Sequence, residues 1–180
     1  DSIVEPVLGR DLQTLIDIQK PALLRQTFEL AMHYPSQEIS YQKLLGQLQD
    51  HGNAATIKNY LEILEGGFLL RKLEKFSAQP LRTKSSSPKI IPMAPALIHA
   101  FTNPSDIENS PEWFGRVFEC AIGAHLSRLP GELYYWRQDP FEVDFIHVNN
   151  GKITALEVKS GRKKNTTGLM MFLEKHPDAE

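Results

Sequence analysis

Residues 141–159 read FEVDFIHVNNGKITALEVK, two apolar-rich runs around Asn149-Asn150-Gly151. Asn-Gly between such runs is a strong signal for a β-hairpin. A two-residue turn at Asn150-Gly151 and a four-residue loop from Asn149 to Lys152 give the same pairing. Asp144 then stands opposite Glu157, and Glu142 opposite Lys159. Side chains alternate along a strand, so all four share one face. Directly opposed Cβ atoms lie ~5 Å apart. Two carboxylates that close repel and require a cation, a shared proton or full solvation. Val143, Phe145, Ile146 and Val148, with Ala155, Leu156 and Val158, are apolar on both faces, which implies a covered sheet and argues against solvation. A hard divalent ion such as Mg²⁺ suits Asp144 and Glu157 as metal ligands in a site that keeps several waters. Lys159 is placed to orient or deprotonate a water there, or to offset charge on a phosphate. Metal-assisted phosphodiester hydrolysis is the reaction such a site supports. A second reading stands beside it: Asp144 and Glu157 form a charged pair satisfied by Lys159 and Arg137, in a fold without activity.

The elements around the hairpin follow from local signals. Ser110 caps a helix with Pro111 at its first position. That helix runs to about Leu129, with Trp113, Phe114, Val117, Phe118, Ala121, Ile122 and Leu126 as its apolar side. Pro130-Gly131 ends it, Leu133–Arg137 is a strand, and Gln138-Asp139-Pro140 is a turn. Ser160-Gly161 breaks the third strand, and a helix follows over Thr167–Lys175. The second half is therefore α-β-β-β-α. In the first half, helical spacing from Pro21 to His33 stops at Pro35. Ser40 and Asn53 cap two further helices, and Gly66-Gly67 ends the third. Strands at 68–76 and 88–91 complete a three-helix-plus-hairpin, winged-helix pattern. The proline- and serine-dense stretch at 77–95 marks the boundary. The expected organisation is a linker helix over 1–20, a winged-helix-like domain over 21–95 and a second domain over 96–180. The fold class is α+β / α/β.

The chain has 180 residues, 41% hydrophobic and 23% charged, which excludes a disordered or fibrous protein. Twenty Lys and Arg against 22 Asp and Glu give a net charge of −2. Binding of nucleic acid by bulk charge is thereby excluded, and any contact must be a local patch. The third helix sets Lys58 against Glu62 and Glu65 and has no positive face. The hairpin holds Arg71, Lys72, Lys75, Arg82, Lys84 and Lys89 against Glu74. Arg82 and Lys84 there, with Arg162 and Lys163 beside the EVK triplet, are the candidate nucleic-acid contacts. The single cysteine, Cys120, excludes a disulfide within the chain and a multi-cysteine zinc site. No histidine has a partner at metal-ligand spacing. No apolar run reaches the ~18–20 residues of a membrane span, and no signal peptide opens the chain. The expectation is a cytoplasmic fragment of a longer gene product, with no membrane partner.

EVDFI and EVK, twelve residues lying between Asp144 and Glu157, resemble the PD-(D/E)XK, restriction-endonuclease-like superfamily. Glu119, within GRVFECAIGAHL, matches that superfamily's helix carboxylate. Asp144, Glu157 and Lys159 match its strand motif. The resemblance implies a restriction-endonuclease-like core, here stopping before its last strand, with Glu119, Asp144, Glu157 and Lys159 as catalytic residues and Mg²⁺ as cofactor. TIKNYLEILEGGFLL, SPKI, GRVFECAIGAHL, YYWR, EVDFI, EVKSG and GLMMF together resemble the C-terminal region of a prokaryotic family of AAA-superfamily ATPases. That implies an ATPase domain preceding a winged helix and a nuclease-like domain of unknown function, with DNA and the ATPase domain itself as partners. This chain has no Gly-rich GKS or GKT phosphate loop, so ATP would be bound only by the domain that precedes it. The alternative is an inactive DNA- or protein-binding regulatory module of the ATPase.

Overall fold

A computed structural model describes residues 6–8, 18–48, 53–77, 87–103, 105, 109–161 and 165–180. Pro21 opens α1 (Pro21–Met32), where its missing N–H costs nothing. Leu23, Leu24, Phe28, Ala31 and Met32 form its buried side. After the two-residue strand β1 (Gln37–Glu38), Ser40 Oγ accepts from the Lys43 N–H at 3.1 Å and starts α2 (Tyr41–Leu45). Asn53 Oδ1 accepts from the Thr56 N–H at 2.8 Å and starts α3 (Ala54–Gly66), which buries Ile57, Tyr60, Leu61 and Leu64. The hairpin β2 (Leu70–Lys75) and β3 (Lys89–Pro92) follows, then a 3₁₀ turn (Pro95–Leu97) into α4 (Ile98–Phe101). Ser110 Oγ accepts from the Trp113 N–H at the start of α5 (Pro111–Leu126). β4 (Glu132–Gln138), β5 (Phe141–Asn149), β6 (Lys152–Leu156) and α6 (Thr167–Lys175) complete the order.

The protein is mixed α+β. Its strands form one open sheet in the order β1-β3-β2-β4-β5-β6, antiparallel except for β2 beside β4. That parallel pair, at Glu74↔Tyr134 and Lys75↔Tyr135, joins strands from both sides of residue 95. After α6 the chain returns to β6, where the Ala155 N–H donates to Glu180 O and the Glu180 N–H to Ile153 O. One apolar cluster lies among α1, α3 and β3, and includes Leu8 and Ile18. A second, of Leu73, Ile91, Ala124, Leu133, Tyr135 and Phe145, lies under α5. A third gathers Trp136, Val143 and Ile146 around Phe172 of α6. The linker helix expected over 1–20 lies largely outside the described residues.

The hairpin register is the expected one from Asn149↔Lys152 to Phe145↔Leu156. Asn150 and Gly151 have φ of 50° and 79°, the two left-handed residues a type I′ turn requires. Strict alternation, however, fails at the far end. The β4–β5 pairing shifts between Tyr134↔Ile146 and Trp136↔Val143, so Asp144 and Phe145 together stand opposite Tyr135. This is a β-bulge, which re-aims side chains and ends pairing. Phe145 therefore packs with the cluster under α5, while its neighbours Val143 and Ile146 both pack around α6.

Two helix details differ from the periodicity. α5 buries the small residues Cys120, Gly123 and Ala124, while Phe114 and Phe118 stack on each other at 6.4 Å on its exposed side. Small residues let the helix lie close on the sheet: a Cβ at Gly123 would stand 2.8 Å from the Phe145 ring. At the end of α3, neither Gly66 nor Gly67 takes the left-handed residue. Phe68 does, at φ 57° and 81% exposed. The Leu69 N–H donates to Leu64 O and the Phe68 N–H to Glu65 O, which is a Schellman motif with phenylalanine in glycine's usual place.

Two substitutions test these packing statements. Gly123→Ala is expected to lower stability by about 1–3 kcal/mol in chemical denaturation, as over-packing does. An unchanged midpoint would show that α5 does not lie this close. Phe68→Gly is expected to raise stability by about 1 kcal/mol, by relieving a left-handed non-glycine.

Candidate functional site

Lys89 is the centre of the site, and its position follows from β3. Along that strand Lys89 and Ile91 share a face, and Ile91 packs under α5 beside Phe145. Lys89 accordingly points into the interior and is 1% exposed. Its Nζ donates to Glu119 Oε1 of α5 at 2.7 Å and lies 2.9 Å from Glu142 Oε1 and 3.8 Å from Asp144 Oδ1, both of β5. The Phe145 ring centroid is 5.8 Å from the same nitrogen.

The three carboxylates around Lys89, those of Glu119, Glu142 and Asp144, line a cavity of about 440 Å³ together with Ser36, Glu38, Arg116, Arg137, Glu157 and Lys159. The four residues singled out by the sequence, Glu119, Asp144, Glu157 and Lys159, thus line one cavity. Their connections differ from simple cross-strand opposition. β6 ends at Leu156, and beyond it the Val158 N–H donates to Asp144 Oδ2 at 2.7 Å. The bulge carries Asp144 to the backbone between Glu157 and Lys159. Glu142 does not pair with Lys159. It binds Lys89 and lies 3.7 Å from Arg137, while Lys159 donates to Glu157 Oε1.

The charges explain the titration behaviour. Burial alone would lower the Lys89 ammonium, but Glu119, Glu142 and Asp144 outweigh it and hold the group above its ordinary range. Glu119 is pushed up to about 7, first by burial and then by Asp144, with Lys89 opposing. Burial also raises Glu157, again with Asp144 adding to it and Lys159 opposing. For Lys159, burial works downward, yet the Glu157 carboxylate holds the ammonium above its ordinary value. A group held protonated is a poor general base. Of the roles open to Lys159, charge neutralisation is favoured over deprotonating water.

Among the described residues, no group of three or more His, Cys, Asp or Glu is placed to hold a metal ion. Asp144 and Glu157 as a pair remain suited to a hard cation. Among the described residues, Glu157 Oε2 is buried with no hydrogen-bond partner, and the closest cation to Asp144 Oδ1 is at 3.8 Å. A buried carboxylate oxygen left unpaired requires an explanation, and a divalent ion completed by water supplies one.

Several basic residues do not take the positions expected. Lys89, counted with the hairpin's charge, is interior. Arg71 lies 3.6 Å from Glu65, and Lys72 lies 3.6 Å from Glu62 and 3.7 Å from Glu65. The hairpin's described cations are thus largely offset by α3. Arg82, Lys84, Arg162 and Lys163 lie outside the described residues. The other reading's partner, Arg137, serves Asp139, Glu38 and Glu142 rather than Asp144 or Glu157. Cys120 is buried, 3.1 Å from Ser36 Oγ, and its thiol is pushed up to about 12 by burial, so it is no nucleophile. No helix of the described residues is long and apolar enough to cross a membrane.

The chain is a member of the family described as Domain of unknown function (DUF8612), which residues 1–108 match. Residues 114–180 match Domain of unknown function (DUF4143), a domain found in AAA-ATPase-associated proteins. Lys89 falls in the first segment, and Glu119, Glu142, Asp144, Glu157 and Lys159 in the second. The chain is 29% identical over 167 residues to uncharacterized proteins of Mycobacterium bovis and Mycobacterium tuberculosis. The match covers 88% of this chain and 37% of each relative, so the chain spans just over a third of their length. No solved structure matches it.

The cluster predicts asymmetric costs. Lys89→Met leaves carboxylates buried without their counter-ion and is expected to lose about 3–5 kcal/mol in urea denaturation without divalent ions. Glu119→Gln keeps an acceptor for the ammonium and is expected to stay within about 1 kcal/mol of wild type. Equal losses would mean that Lys89 is not the residue the cluster depends on.

Proposed function

We propose that the cavity is a divalent-cation-dependent phosphodiester-cleaving site of the PD-(D/E)XK type. In this reading α1–α3 with the β1–β3 strands form a winged-helix-like unit, α5 to α6 form a nuclease-like core, and the two work under an AAA-type ATPase. One observation carries the proposal. Glu119, Asp144, Glu157 and Lys159 line a single cavity in which Glu157 Oε2 is buried and unbonded.

Asp144 and Glu157 would hold a Mg²⁺ ion. When bound, such an ion supplies Lewis-acid activation of water and neutralises charge on the phosphate. The protein's own groups do the remaining work. The Val158 N–H fixes Asp144 through Oδ2, with Oδ1 3.8 Å from the Lys89 ammonium. The Lys159 ammonium stabilises negative charge as it builds on the phosphate oxygens. Arg116, Arg137 and Lys159 line the cavity and can steer a polyanion past its acidic floor. Arg162 and Lys163, following Lys159 in sequence, and Arg82 and Lys84 between β2 and β3, are the proposed contacts to the nucleic-acid backbone, with DNA as the first substrate to test.

The second reading, an inactive binding module, is favoured by the Lys89 ammonium, which already neutralises Glu119 and Glu142. Calorimetry with Mn²⁺ separates the two. The first predicts saturable binding that Asp144→Ala abolishes, followed by Mn²⁺- or Mg²⁺-dependent cleavage of DNA that Lys159→Ala reduces by at least about 10²-fold. No Mn²⁺ binding by the wild-type chain would leave the regulatory reading.

A further inference from the structure

We infer that Lys89 is an internal cation that sets how many divalent ions the cavity holds, restricting it to one. The inference deepens the reading above and rests on it for the ion at Asp144 and Glu157. Of the five carboxylates around the cavity, Glu38 faces Arg137 at 3.8 Å and the other four fall into two groups. Glu119 and Glu142 close on the Lys89 ammonium at 2.7 and 2.9 Å. Glu157 turns one oxygen to Lys159 and leaves the other buried and unbonded. Asp144 lies between the groups, with Oδ2 on the Val158 N–H and Oδ1 at 3.8 Å from Lys89.

Sites with two divalent ions spaced ~3.5–4 Å apart commonly share a bridging carboxylate between them. Here Asp144 has the bridging place, but the position on its Glu119–Glu142 side is filled covalently, by a side chain of the protein. Lys89 cannot leave it cheaply. Its nitrogen is in the interior, β3 is hydrogen-bonded on both sides by β1 and β2, and the Phe145 ring stands 5.8 Å away. A monovalent ammonium there neutralises part of the charge of Glu119 and Glu142, which leaves too little negative charge for a second dication beside the first. Lys89 is therefore a positioning residue. It holds Glu119 and Glu142 in place, and it excludes an ion without touching the substrate.

The test counts ions. Wild-type chain and Lys89→Met are titrated with Mn²⁺ by calorimetry, and the melting temperature of each is followed with Mn²⁺ and with EDTA. The difference in stoichiometry decides this inference, and the wild-type value alone decides the reading beneath it. The expected result is one ion for wild type, two for Lys89→Met, and a larger Mn²⁺-induced rise in melting temperature for the variant. One ion for both overturns the role of Lys89 while sparing the metal site. No ion for wild type and one for the variant keeps Lys89 as the occupant of a cation position and sinks the metal-dependent reading. No ion for either sinks both. If Lys89→Met does not fold in EDTA, Lys89→Gln, which keeps a donor for Glu119, is titrated in its place. An ion gained in Lys89→Gln supports the inference, and none gained overturns it.

Discussion

The ammonium of Lys89, buried on β3, is held by Glu119 of α5 and Glu142 of β5, with Asp144 just beyond. A charge carried alone into a protein interior costs several kcal/mol, and its partners' charges cost as much, so this arrangement survives only as a complete set. It imposes an order on the rest of the structure. β3 belongs to the hairpin that follows the first helices, whereas α5 and β5 come from the second half of the chain. The lysine therefore requires α5 to sit close on the sheet, which Gly123 permits. It also requires β5 to turn its acidic residues inward, and the bulge at Asp144 and Phe145 arranges that.

What could be read from the sequence was what local chemistry controls. The caps at Ser40, Asn53 and Ser110 are set within three residues of themselves, and each is present. Asn150-Gly151 dictates its own turn and with it the β5–β6 register. The features that escaped depend on distant partners. Lys89 follows a proline- and serine-rich stretch and looks like a solvated hairpin charge, yet its nearest partner is thirty residues away on α5. The bulge leaves no mark in a run such as EVDFI, because strict alternation and a one-residue slip share the same letters. The apolar stripe of α5 was legible in part: Trp113, Val117, Ile122 and Leu126 pack against the core, whereas Phe114 and Phe118 lie exposed and the fully buried positions are the small residues Cys120, Gly123 and Ala124. Candidate residues Glu119, Asp144, Glu157 and Lys159 could be named in advance because their pattern resembles a known one; Lys89, which contacts Glu119, Glu142 and Asp144, lies outside that pattern.

The balance of charge bears on function in a specific way. A cavity with this many carboxylates repels a nucleic acid unless cations compensate. Two kinds are built in: the interior Lys89, and Arg116, Arg137 and Lys159 at the cavity wall. Among the described residues these cations leave the Glu157 Oε2 atom without a hydrogen bond. The two family segments meet between residues 108 and 114, and the site draws from both. A segment matching DUF4143 taken alone would thus lack the lysine. The second of these segments is of a kind found in AAA-ATPase-associated proteins.

We propose that a protein ammonium and a divalent ion divide one set of carboxylates between them. Anomalous diffraction from crystals of the wild-type chain soaked in Mn²⁺ tests it most directly. The expected result is a single peak bound by Asp144 and Glu157, with Lys89 Nζ still in contact with Glu119 and Glu142. A peak in the place of the ammonium, with Lys89 displaced, would contradict it, as would Asp144 and Glu157 bound only by protein cations at saturating Mn²⁺.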